Sequence, residues 1–207
     1  MSSIAFQEIE CSHCHRMLKF TMFESLNTTL DPQYKPKVLD LSLFDVSCPD
    51  CGNTMHARYG FLYHDMDRRY MISVHWDQED LFKPSDPAEK NLMRDLGSNK
   101  PYRFRHVLGY DQLREKIRIF DAGLNDYVVE YWKFFFKKEK GIPDDLELFF
   151  QSCQNDHLYF TDPDNGIKIL RVSLDQYLEI LDQLTAAAPR EDDYRFVHEC
   201  LFRGSEN

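Results

Sequence analysis

The chain has 207 residues, 43% of them apolar and 14% aromatic, which excludes a disordered protein and allows one compact domain or two small ones. Its formal charge of −10 repels polyphosphate and argues against non-specific wrapping of nucleic acid. No apolar run approaches the roughly 18 residues of a membrane helix. The opening Met1-Ser2-Ser3-Ile4-Ala5-Phe6-Gln7-Glu8 lacks the basic and apolar regions of a signal peptide, so a cytoplasmic protein is expected.

In chain order, Ile4 to Glu10 predicts a strand running into Cys11, and Leu18, Phe20 and Met22 alternate with polar residues after Cys14. Asp31-Pro32 reads as the start of a helix over residues 33–40, against which Pro36 in the first turn counts. Leu41 to Ser47 then enters a second cysteine pair. Thr54 to Tyr63 and Arg69 to Trp76 read as two strands joined by a turn at Asp65-Met66-Asp67-Arg68, with Tyr70, Ile72, Val74 and Trp76 on one face. Residues 77–101 are a charged connection containing a capping box, Asp86-Pro87-Ala88-Glu89, and a short helix closed by Gly97.

After a strand over Tyr102 to Leu108, Asp111 is expected to cap a helix ending at Gly123, and a second helix runs from Asn125 to about Lys138. In that helix Val128, Val129, Trp132, Phe135 and Phe136 form one stripe, and Lys137, Lys138 and Lys140 complement the dipole at its end. Leu146–Cys153, His157–Thr161 and Ile167–Val172 predict a strand meander, with Asp162-Pro163-Asp164-Asn165-Gly166 as a turn. Ser173-Leu174-Asp175-Gln176 is a further capping box opening a last helix, which Pro189 ends.

Cysteine spacing carries the clearest chemistry. Cys11/Cys14 and Cys48/Cys51 form two Cys-x-x-Cys knuckles, and two such turns supply the four thiolates of a closed tetrahedral Zn²⁺ site. Gly52 lets the second knuckle turn sharply, whereas the first has His15 there. Loop closure grows by only about 0.6 kcal/mol per doubling, so the long spacer is tolerated. Rubredoxin-like iron and a thioredoxin-type dithiol are the weaker readings. His13, His15 and His56 stand beside the knuckles as neighbours rather than ligands. A closed shell leaves no place for water, so this zinc is read as structural. Cys153 and Cys200 read as buried small hydrophobes.

Other constellations are weaker. His64 and Asp65 with Asp67, and His75 with Asp77, Glu79 and Asp80, read first as solvated turns. Their alternative is a metal-dependent hydrolase or nuclease, which requires those side chains to converge in one cleft. A nucleic-acid-binding zinc ribbon would use Arg16, Lys19 and the 100–106 patch, Lys100-Pro101-Tyr102-Arg103-Phe104-Arg105-His106. That patch reads equally as a strand with one solvated face, and Trp132 to Lys138 as a core helix with a basic end. No nucleotide, serine-hydrolase or zincin motif is present, and Thr161 to Val172 fails as a calcium loop.

With the two knuckles, three further blocks carry a family resemblance: Ser25-Leu26-Asn27-Thr28-Thr29-Leu30-Asp31-Pro32, the strand end Phe61-Leu62-Tyr63-His64-Asp65, and Leu113 to Asp126. Over roughly residues 5–135 the chain resembles the CpXC domain proteins, a bacterial and archaeal family read as zinc-binding and without an established activity. It departs from the name-giving motif at Ser12, where the family has proline; the second knuckle keeps Pro49. The resemblance implies a zinc-bearing domain and no catalytic residue.

The expectation is therefore an α+β protein: a β-rich, zinc-ribbon-like module over residues 1–77, a connecting segment over 78–101, and a mixed α/β half over 102–207. These parts can equally form one continuous domain. The function expected is a non-enzymatic binding, adaptor or regulatory protein with structural Zn²⁺ on Cys11, Cys14, Cys48 and Cys51. Its partner is expected to be protein rather than nucleic acid or membrane.

Overall fold

The computed structural model describes residues 2–81, 102–143, 145–161, 170–185 and 197–198. The chain is α+β with a β-rich N-terminal region, and divides into two compact units, Met1–Tyr110 and Asp111–Asn207. No described helix is long and apolar enough to cross a membrane.

In the first unit, β1 (Ser3–Glu10) and β2 (Met17–Asn27) form an antiparallel hairpin with the first knuckle at its tip. The far end of β2 pairs parallel with β5 (Phe61–Asp65). Strand β5 pairs antiparallel with β6 (Tyr70–His75), and β6 pairs parallel with β7 (Arg103–Leu108), giving the order β1-β2-β5-β6-β7. A separate hairpin, β3 (Asp45–Ser47) and β4 (Thr54–His56), carries the second knuckle. Between the knuckles a 3-10 turn at Pro32–Tyr34 leads into helix α1 (Lys35–Leu39). Pro36 fits because it stands in the first turn, where a backbone N–H has no intrahelical partner.

The single strand expected over Thr54 to Tyr63 is two strands in two sheets. Between them Ala57 N–H still donates to Phe44 O at 2.9 Å, and the backbone beyond it bonds to side chains. Tyr110 Oη donates to Ala57 O at 3.1 Å and accepts Tyr59 N–H at 3.2 Å, while Trp76 Nε1 donates to Tyr59 O at 3.0 Å. The Phe44 and Tyr110 rings stack at 3.7 Å beside this segment. Along β6, Tyr70, Ile72 and Val74 are buried as expected, but so is Met71, and Trp76 lies past the strand end, 39% exposed. Buried residues on both faces of β6 show that the strand is covered on each side.

A helix expected to begin at Asp111 begins two residues earlier, as α3 (Gly109–Asp121). Gly109 has φ +72, a left-handed conformation that favours glycine; a Cβ there would meet the Trp76 ring at an ordinary contact distance of 3.6 Å. A four-residue helix, α2 (Gln78–Leu81), precedes β7 in the chain.

In the second unit, α4 (Asp126–Lys140) is closed by Asn125, whose side chain accepts Tyr127 N–H, and by Gly141 at φ 62. Strands β8 (Phe149–Gln154), β9 (His157–Thr161) and β10 (Leu170–Ser173) make an antiparallel sheet in the order β10-β9-β8. Asn155 and Asp156 turn the β8–β9 hairpin with φ 49 and 57, the double left-handed turn that suits strand twist. Strand β8 begins three residues later than expected. Helix α5 (Leu174–Thr185) opens on the predicted capping box: Gln176 N–H donates to Ser173 Oγ, and Ser173 N–H donates to Gln176 Oε1, both at 3.3 Å.

Helix α4 departs from its expected face. Val128, Val129 and Trp132 are buried, but Phe135 is 48% exposed, while Lys133 and Lys137 are buried. Lys137 thus belongs to the interior and only Lys138 and Lys140 to a solvated basic end. Burial of lysine requires compensation. Lys133 Nζ lies 3.0 Å from Glu115 and 2.8 Å from Glu130; Lys116 Nζ lies 2.7 Å from Glu130 and 3.4 Å from Asp126. Glu115 also accepts Phe150 N–H at 2.7 Å, tying the ion cluster to β8. Cys153 is half-buried rather than buried. The helix expected near 86–97, the 162–166 turn, Pro189 and Cys200 lie outside the described residues.

Candidate metal centre

Each knuckle sits where a hairpin reverses, which explains why both cysteine pairs are presented on tight backbone. Cys11 N–H donates to Arg16 O and Cys48 N–H to Asn53 O, both at 2.8 Å; His15 N–H donates to Cys11 O and Gly52 N–H to Cys48 O, both at 2.9 Å. Aligned on their cysteines, the two knuckles have the same hydrogen bonds. His15 takes φ 59 where Gly52 takes φ 72, so the histidine adopts the left-handed turn that glycine would make more cheaply.

All four sulfurs lie within 4.8 Å of one another. The shortest separations run between knuckles: Cys11 Sγ to Cys51 Sγ and Cys14 Sγ to Cys48 Sγ, each 3.6 Å. A disulfide would need about 2.05 Å, whereas sulfurs at about 2.3 Å from a shared zinc stand ~3.8 Å apart in a tetrahedron. The cluster therefore has the spacing of a tetrathiolate shell and can hold a metal ion. Cys11 and Cys48 are buried against Leu18, Val46 and Ala57, and Cys14 and Cys51 are exposed.

Local electrostatics fit the same donor set. Backbone N–H groups of Cys14 and His13 draw the Cys11 thiol down to about 6. The N–H of Asn53 acts the same way on Cys51, but burial and the neighbouring sulfurs prevail and push that thiol up to about 12. Four thiolates at this distance repel one another; a dication relieves that repulsion.

Two side chains clasp the knuckles from equivalent positions. Arg16 donates from the first to the Asp50 carboxylate of the second, and Asn53 Nδ2 donates from the second to Ser12 Oγ of the first at 3.1 Å. Ser12, the departure from the proline of the motif, thus supplies an acceptor. Sequence reasoning placed Arg16 in a nucleic-acid patch and missed both clasps; aligning the knuckles on their cysteines would have shown Arg16 and Asn53 to correspond. His15 Nδ1 pairs with Glu10 at 2.7 Å and His56 Nδ1 with Asp45 at 2.8 Å.

The remaining candidate residues do not converge. His64 and Asp65 are consecutive on β5 and point to opposite faces. His64 Nε2 meets Tyr102 Oη, whereas Asp65 accepts from Lys35 Nζ at 3.2 Å and from Arg68 N–H at 3.0 Å. Burial lowers the His64 pKa. The Asp67 backbone N–H bonds to Thr29 Oγ1 at 3.2 Å. His75 Nε2 meets His106 Nδ1 at 2.8 Å, and Asp77 accepts Glu79 N–H at 2.9 Å; the Asp80 side chain lies outside the described part. Among the described residues the four cysteines are the only group of three or more His, Cys, Asp or Glu side chains placed to share an ion.

The 100–106 patch is not a solvated face. Tyr102, Phe104 and Arg105 are buried, and Arg105 Nη1 donates to Phe104 O at 2.9 Å; Lys100 and Pro101 lie outside the described residues. Lys19 stands 3.8 Å from Glu8.

Compared with protein-family models, the chain matches the one described as CpXC protein over residues 9–133. That span takes in both knuckles, strands β2 to β7, all of α3 and the first half of α4. No curated protein and no solved structure matches the chain.

Proposed function

The chain belongs to the CpXC family, and from that premise we propose that it is a zinc-binding, non-enzymatic binding or adaptor protein whose metal is structural. Cys11, Cys14, Cys48 and Cys51 would hold one Zn²⁺ as a closed tetrathiolate. The observation that carries this reading is the approach of the four sulfurs, with 3.6 Å across the knuckles. Bound there, the ion neutralises thiolate repulsion and locks together two hairpins that belong to separate sheets.

A full shell has no position for a reacting water, which favours a structural role over hydrolysis. Reduced thiols suit a reducing compartment such as the cytoplasm. With a formal charge of −10 and Tyr102, Phe104 and Arg105 in the interior, a protein partner fits better than nucleic acid.

Metal analysis of the purified protein, combined with a thiol count before and after chelation, tests the proposal. One tightly held zinc with four thiols protected until chelation is the expected result. An absence of bound metal, iron in place of zinc, or a second exchangeable metal would overturn it.

A further inference from the structure

Strand β1 is the outermost of the five-stranded sheet, and among the described residues nothing pairs with its outer edge. Its only blunting devices are Glu8, Glu10 and a register shift at Ser3/Ile4. It holds no proline, lysine or arginine, and its register with β2 is unbroken from Ile4 to Glu10. One face of the hairpin also carries exposed apolar side chains, interleaved with Glu8, Glu10, Lys19 and Thr21. Directly opposed residues share a face, so Ile4, Phe6, Phe23 and Met17 lie on the same side. Phe6 is 74% exposed, Met17 56% and Ile4 54%.

The hydrogen-bond alternation decides which backbone groups point outward. Cys11 N–H bonds to Arg16 O at 2.8 Å in continuation of the ladder. Alternation then turns Ala5, Gln7 and Ile9 toward β2, and Ile4, Phe6 and Glu8 toward the open edge. Two of these three outward-facing residues, Ile4 and Phe6, carry exposed apolar side chains.

This edge is complementary to itself. A two-fold axis through Phe6, normal to the sheet, sets Phe6 opposite Phe6 of a second copy and Ile4 opposite its Glu8. The outward backbone groups of both strands then face each other, and the two exposed Phe6 rings meet on one side. No like charges stand opposite: Glu8 faces Ile4 of the other copy and lies 3.8 Å from Lys19 of its own chain. We infer that β1 pairs antiparallel with β1 of a second copy of this chain, joining two five-stranded sheets into one continuous sheet. The interface is independent of the metal reading, since it rests on the open edge of β1 and its exposed Ile4 and Phe6 alone.

Sedimentation equilibrium of the full-length protein as purified tests this. The expected mass rises with concentration from monomer to dimer. Each copy carries −10, so added salt should strengthen association by screening that repulsion. Phe6→Pro removes the ring and an N–H that β2 does not use, and should remain monomeric with unchanged metal content and circular dichroism. Phe6→Lys keeps the N–H and should weaken association by about tenfold or more. A wild type that stays monomeric at every concentration, variants that associate like wild type, or association weakened by salt would each overturn the inference.

Discussion

His15 and Gly52 hold the same left-handed backbone, φ 59 and 72, at the same place in the two knuckles. Each donates its N–H to the carbonyl of its knuckle's first cysteine at 2.9 Å. The turn geometry is therefore imposed by the metal-site architecture rather than by the residue that happens to occupy it.

Replacing His15 by glycine should relieve that conformation. The contact with Glu10 is solvent-exposed and contributes little. His15→Gly is expected to raise the stability of the metal-loaded protein by about 0.5–1 kcal/mol, and His15→Val to lower it by about 1–3 kcal/mol. Urea unfolding of the three proteins measures both; equal stabilities would refute the strained turn.

Removing a ligand should act on folding. Cys48 is buried in the cluster that includes Leu18 and Val46, and structural zinc contributes roughly 10–16 kcal/mol of binding free energy to folding. Cys48→Ala, or exhaustive chelation of the wild type, is expected to abolish the cooperative melting of the Met1–Tyr110 unit. A variant that melts like wild type and stays soluble would sink the structural role.

Glu130 sits between Lys116 and Lys133, at 2.7 and 2.8 Å, with all three side chains buried. Glu130→Gln leaves both ammonium groups short of charge and should destabilise by about 3–5 kcal/mol. Denaturant titration of the variant decides it; a loss below 1 kcal/mol, roughly that of a surface pair, would contradict the buried network.

The same cluster makes stability depend on pH. Burial raises the Glu115 pKa to about 7, with Lys133 opposing. An acid whose folded pKa exceeds its unfolded value of about 4.3 supports stability fully below that value, and the support is lost as pH rises to about 7. His198 has the opposite sign: burial lowers it to about 4, so its contribution is lost as pH falls from about 6.5 to about 4. Burial works to raise Glu130, but Lys116 and Lys133 prevail and lower it, so its contribution is lost only at acid pH. Measured against Glu115→Gln, in which the other groups are unchanged, the wild type should lose about 2–3 kcal/mol between pH 4.5 and 7.5. A difference that stays flat with pH would refute the assignment.

Several features were legible because a local rule settles them. The knuckles follow from two spaced cysteine pairs. The opening of α5 follows from Ser173 and Gln176, and the limits of α4 from Asn125 and Gly141. The fold class and the His157–Thr161 strand followed from hydrophobic period alone. Other features depended on a distant partner. Thr54 to Tyr63 reads as one strand until Tyr110 and Trp76 bond to the backbone between Ala57 and Gly60. Tyr102 to His106 reads as half-solvated until β7 is covered.

By itself the sequence determined the donor set, four cysteines on two turns, because a Cys-x-x-Cys spacing brings two sulfurs together within a few residues of backbone. It likewise determined the openings of α4 and α5 and the β-rich character of the first half. Only the tertiary structure decided that the second turn's sulfurs meet the first's at 3.6 Å. It alone decided that Lys116, Lys133 and Lys137 are interior charges rather than a solvated helix face. The reason is physical: a charge in the interior is tolerated only where opposite charges from other elements surround it, and Glu115 and Glu130 reach Lys133 and Lys116 only once α3 and α4 lie side by side.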